Sequence, residues 1–108
     1  MQQSTVEASS LDSMNVPTRD EAHQAALQQL RMVLRRRELV WIVGEKYDAH
    51  EIAWMIDVVR RGPMGRWVHQ RYRYDAQPRT LHFRGERIID DAELDAARQR
   101  GTEFRAAP

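Results

Sequence analysis

Two alternating runs joined by four loop residues constrain this chain more than any other feature. They lie in "RWVHQRYRYDAQPRTLHFRGER", residues 66 to 87. Side chains alternate faces along a strand, so a slip of one residue in the pairing moves every side chain to the opposite face. A four-residue loop, "AQPR", sets Asp75 opposite Thr80. Tyr74 then pairs with Leu81 and Tyr72 with Phe83 on one face, while Arg73 pairs with His82 and Arg71 with Arg84 on the other. A five-residue loop would set Arg73 against Leu81 and Arg71 against Phe83, mixing both faces. The pattern therefore predicts a hairpin with one apolar-aromatic face and one basic face, and Gly85 marks a bulge near the end of pairing.

The remaining elements follow from caps and periodicity. In "PTRDE", Thr18 is an N-cap and Glu21 completes a capping box. Ala22, Ala26, Leu27, Leu30, Val33 and Leu34 recur at helical spacing behind it, with His23 inside that face and Arg35 to Arg37 at the end. "LVWIV", residues 39 to 43, reads as a short buried strand stopped by Gly44. "YDAHEI" predicts a second helix, with Asp48 as cap, Glu51 as its box partner, Tyr47 and Ile52 as staple, and a stop at Gly62–Pro63. Ile52, Met55, Ile56 and Val59, widened by Trp54 and Val58, give that helix an apolar arc of roughly 200°, which needs cover on more than one side. A second subunit is one way to supply it. "IIDDAEL" predicts a last short helix capped by Asp90, with Glu93 as box partner and an end near Gly101; Phe104 pins the tail. The expected fold is a single small α+β domain of order α-β-α-β-β-α, with the hairpin part of a three-stranded antiparallel sheet. Residues 1–16 read as a disordered arm, 17–104 as the domain and 105–108 as a flexible tail.

At 108 residues the chain has room for one domain. It has no cysteine, which excludes disulfides, thiolate metal sites and cysteine nucleophiles and fits a cytoplasmic setting. No apolar run reaches the roughly 20 residues of a membrane helix. Net charge is only +1, but residues 60 to 87 hold eight arginines against Asp75 and Glu86. Sixteen of the seventeen basic residues are arginine, a bias that genome composition alone can produce.

The motifs of common catalytic sites are missing. "HEIAW" starts like a zinc-protease H-E-x-x-H but has Trp54 in place of the second histidine. The histidines at 23, 50, 69 and 82 lack metal-ligand spacing, and no nucleophile is paired with a base, so no catalytic residue, metal or cofactor is assigned and a non-enzymatic role is expected. Two function classes remain. In the first, Arg66, Arg71, Arg73, Arg84 and Arg87 bind nucleic-acid backbone, because planar guanidinium groups match phosphate bidentately, and Trp67 stacks on a base or on a neighbouring arginine. In the second, the chain is a small regulatory or accessory protein that meets an acidic protein partner, or a second copy of itself as a homodimer, through Trp54, Val58, Trp67 and the same arginines. A surface kept basic for solubility alone is the plain alternative to both.

Overall fold

The computed structural model describes residues 16–108, so the expected N-terminal arm, but for Val16, lies outside the described residues. The elements are α1 (Arg19–Val33), β1 (Leu39–Asp48), β2 (Ala53–Arg61), a 3-10 turn (Pro63–Gly65), β3 (Trp67–Asp75), β4 (Thr80–Ile88), α2 (Asp91–Arg100) and β5 (Thr102–Arg105). The five strands form one sheet in the order β4-β3-β2-β1-β5, every neighbouring pair antiparallel. The class is α+β, as the sequence implies. The order is α-β-β-β-β-α-β rather than α-β-α-β-β-α, and the sheet has five strands instead of three.

The correction falls on residues 48–62, which form a hairpin arm and not a helix. Asp48 Oδ1 accepts from the backbone N–H groups of His50 and Glu51 at 3.0 and 3.1 Å. That is the bonding of a helix cap, used here to close the tight β1–β2 turn, which Ile52 completes in the left-handed region at φ 52°. Beyond it the β-branched residues Ile56, Val58 and Val59 favour the extended chain. The wide apolar arc is a strand with apolar residues on both faces. Trp54, Ile56 and Val58 point into the α1 layer and Val59 into the α2 layer, while Ala53 is buried at the far end of the strand. Trp54 and Val58 are therefore core residues of the monomer, which removes the helical seam from which a dimer was inferred. Strand β1 likewise runs through Gly44 to Asp48 instead of stopping there, absorbing Val43 as a bulge between Ile42 and Gly44.

Two apolar layers hold the sheet. On one face α1 buries Ala22, Ala26 and Leu30 against Val40, Ile42, Trp54, Ile56, Val58, Tyr72 and Tyr74, with Leu34 and Phe104 at the end. Thr18 and Glu21 form the full capping box that starts this helix. His23 rides at its edge, its ring 4.6 Å from Trp54 and its Nε2 bonded to Glu45. On the opposite face the shorter α2 covers one end of the sheet, packing Leu94 and Ala97 over Trp41, Val59 and Ile89. Asp90 caps it by accepting from Glu93 N–H at 2.9 Å, and Gly101 ends it. After β5, Ala106 N–H donates to Glu38 O and Arg37 N–H to Ala107 O, tying residues 106 and 107 to the start of β1.

The β3–β4 hairpin keeps the expected register. Asp75 faces Thr80, Tyr74 faces Leu81, Arg73 faces His82 and Tyr72 faces Phe83. The register then shifts, and Arg71 faces Gly85 where Arg84 was expected. Arg84 is the extra residue of the bulge, and Gly85 takes φ 146°, a backbone region closed to other residues without strain.

Candidate functional site

Because α2 covers only one end, most of the second sheet face is open. Its centre is set by Gly44, Asp57, Arg71 and Gly85 on four adjacent strands, in register with one another. A β-carbon on Gly44 would sit 3.2 Å from Asp57 Oδ2, so the glycine makes room for that carboxylate. Asp57 holds Arg71 by two bonds, Nε to Oδ1 at 2.8 Å and Nη2 to Oδ2 at 3.3 Å, and its Oδ1 lies 3.3 Å from His69 Nε2. Arg87 Nη2 lies 3.2 Å from His69 Nδ1. His69 thus bridges the two, its Nε2 facing the Asp57 carboxylate and its Nδ1 facing the Arg87 guanidinium. Arg87 in turn forks onto Glu93 of α2, at 3.0 Å from Nη1 to Oε1 and 2.8 Å from Nη2 to Oε2.

These contacts shift the charges in a consistent sense. Burial pushes the Asp57 carboxyl up, but the bonds and charges of Arg71 and His69 outweigh it and hold it below its ordinary value. The hydrogen bond from Arg87, against slight desolvation, holds Glu93 low as well. Arg71 and Arg87 are both raised, chiefly by the hydrogen bonds to those acids.

Beside this chain the β4 bulge opens a shallow cleft of about 280 Å³, lined by His69, Arg71, Arg84, Gly85, Glu86 and Arg87. Three of the arginines selected from sequence thus converge around a residue with no side chain. A β-carbon on Gly85 would meet nothing within 4 Å, so the space above it is open. Arg84 makes no ion pair among the described residues.

The other two arginines are placed elsewhere. Arg73 bonds Asp75 at 2.8 Å and approaches Glu51 at 3.6 Å, further along β3. Arg66 precedes β3 at the opposite end, where its carbonyl accepts from Gly62 N–H at 2.6 Å. Trp67 is half-buried, its ring 5.9 Å from that of Trp41 and under the Arg98 guanidinium at 5.4 Å. It stacks on an arginine, the second of the two partners expected for it, and that face is not open to a base. Trp54 is fixed in the core by its Nε1–H bond to Arg19 O at 3.1 Å, with Val58 buried beside it.

Sequence reasoning missed Asp57 and Val43 as members of this face, and it placed His69 on the basic hairpin face, beside His82, without giving it a role there. Asp57 was hidden by the helical assignment of residues 48–62. The detectable signal was glycine inside a strand, at 44 and 85, which marks a bulge or a close approach. Among the described residues no group of three or more His, Cys, Asp or Glu side chains is placed to hold a metal ion, and no helix is long and apolar enough to cross a membrane. Comparison with family models, curated proteins and solved structures finds no match to this chain.

Proposed function

We propose that the protein is a non-enzymatic nucleic-acid-binding module that grips the phosphate backbone at the β4 bulge. The observation that carries this reading is the convergence of Arg71, Arg84 and Arg87 around Gly85, with Arg84 free of any carboxylate among the described residues. Clustered guanidinium groups repel one another, and a phosphate oxygen relieves that repulsion while accepting several charge-assisted bonds. The ion pairs already present do not prevent this. The Arg71 and Arg87 side chains are more than half exposed (54% and 56%), so a phosphate can reach both guanidinium groups, and the exposed Arg87–Glu93 pair, weak because solvent screens it, can exchange its acid for one. The acids Asp57 and Glu93 also keep the face close to neutral, which suits weak and reversible attachment. Base reading is absent from the proposal. No helix is presented for a groove, and Trp67 is occupied by Arg98.

Fluorescence anisotropy with labelled single- and double-stranded oligonucleotides tests this. Three phosphate contacts on a single strand give a log–log salt slope of about −2, or roughly 20-fold weaker binding from 50 to 200 mM salt. Arg84→Ala should shorten the slope by about 0.7 without unfolding the domain. Absence of binding at 50 mM salt refutes the reading. A second reading, an adaptor that binds protein, has one observation in its favour: the edge strand β4 presents Phe83 and Ile88 at 57% and 58% exposure. An apolar contact of that kind would be nearly insensitive to salt and would survive Arg84→Ala.

A further inference from the structure

A second cleft, of about 300 Å³, lies on the same sheet face under α2. Its floor and sides are aliphatic: Val43, Val59, Ala96 and Ala97. Val43, at the β1 bulge, lines it with its side chain partly exposed. The mouth is polar, formed by His69, Arg87, Glu93 and Arg100. The volume is at the small end of ligand pockets, which run from about 300 to 1,000 Å³.

The charge of the mouth defines what would fit. In the chain without nucleic acid Arg87 is paired with Glu93 by two bonds, and the two charges cancel. Arg100 remains, and it makes no ion pair among the described residues. One uncancelled guanidinium beside a carboxylate wall matches a single negative charge and disfavours a dianion such as a phosphate monoester. A guanidinium fork also fits the two oxygens of a carboxylate. No Phe, Tyr or Trp lines the cleft, so its apolar contact is aliphatic. We propose that this cleft is a binding site for a small aliphatic monocarboxylic acid, its carboxylate on Arg100 and its alkyl chain over Val43, Val59, Ala96 and Ala97. The proposal does not depend on nucleic-acid binding at the neighbouring bulge.

The test is a methyl-detected NMR titration of the full chain with sodium hexanoate. Hexylammonium chloride and hexanamide serve as probes of equal length without the negative charge. Saturable shifts of the Val43, Val59, Ala96 and Ala97 methyls are expected with hexanoate alone. A ligand this small binds with a Kd on the order of tens of millimolar or tighter. Arg100→Gln, a surface change, should weaken hexanoate about tenfold or more while leaving the spectrum of the folded protein otherwise unchanged. Equal shifts with all three probes would mean unspecific apolar adsorption and overturn the proposal. So would unchanged affinity in Arg100→Gln, or no saturable shift at these methyls.

Discussion

Replacing Glu38 by alanine is expected to be among the most damaging single changes outside the apolar core. Glu38 precedes β1 and meets Arg60 of β2 on the α1 side of the sheet. Arg60 Nε donates to Oε2 at 3.0 Å and Nη2 to Oε1 at 2.7 Å, with the two side chains only 10% and 9% exposed. Glu38 Oε1 also accepts from Arg35 N–H at 2.8 Å. Removal leaves the guanidinium with one weak partner, Gln70 Oε1 at 3.4 Å, which already accepts from the Tyr72 hydroxyl at 2.7 Å. Burial works against the Arg60 charge and Glu38 restores it, so the carboxylate is what makes this position tenable. Breaking a buried pair by deleting one partner costs about 3–5 kcal/mol, and the residual exposure here places the expectation near 3. With a urea slope of about 1.5 kcal/mol/M, the unfolding midpoint should fall by about 2 M. Tryptophan fluorescence and circular dichroism in urea measure it. The pair Glu38→Leu with Arg60→Met removes both charges and should recover to within about 1 kcal/mol of the native chain. A Glu38→Ala midpoint within about 0.3 M of the native value would refute the reasoning, since at that slope it would mean the guanidinium is hydrated and never depended on the pair.

Other consequences follow from single contacts. Thr18→Ala removes the capping box of α1 and should cost about 1 kcal/mol, a Tm decrease of about 4–6 °C by calorimetry. Gly101→Ala puts a β-carbon 2.5 Å from Ala97 O and 3.1 Å from Trp41 Cβ, so α2 must shift; a loss of about 1–3 kcal/mol in urea is expected, and a neutral effect would contradict the described packing. Asp57 has a folded pKa below its ordinary value, so its contribution is complete above about pH 4 and disappears as pH falls through the lower, folded value. Stability profiles of the native chain and Asp57→Asn should therefore run apart at neutral pH and converge in acid, and parallel profiles would show that the Arg71 and His69 contacts contribute nothing.

How much of this was legible in the sequence depended on which periodicity a segment could satisfy. The β3–β4 register was legible because a four-residue loop sorts Tyr72, Tyr74, Leu81 and Phe83 from Arg71, Arg73 and His82, and a five-residue loop mixes them. The caps at Thr18 and Asp90 were legible because a hydroxyl or carboxylate before an acidic first turn has a local meaning. Residues 48–62 were not. An aspartate followed by two N–H groups closes a β-turn as well as a helix, and a strand with apolar residues on both faces loses its alternation and looks like a broad helical arc. That ambiguity concealed Asp57, and with it the contacts that orient Arg71 and His69. Of the two bulges, Gly85 flagged one and Gly44 was read as a strand end; which neighbour is expelled, Arg84 or Val43, depends on pairing with neighbouring strands. The surroundings of Trp54 and Trp67 were hidden for a related reason. Sequence supplies the aromatic rings, and only packing shows that Trp54 Nε1–H bonds Arg19 O and that Arg98 stacks on Trp67.

The proposed backbone grip is tested most directly by following arginine side-chain Nε–Hε resonances while a short oligonucleotide is added at low salt. The account predicts that Arg71, Arg84 and Arg87 shift together and saturate, while Arg31, whose guanidinium lies 4.5 Å from the Phe104 ring across the domain, does not move. Shifts centred on Phe83, Ile88 or α1, or none in the Arg71–Arg84–Arg87 group, would contradict it.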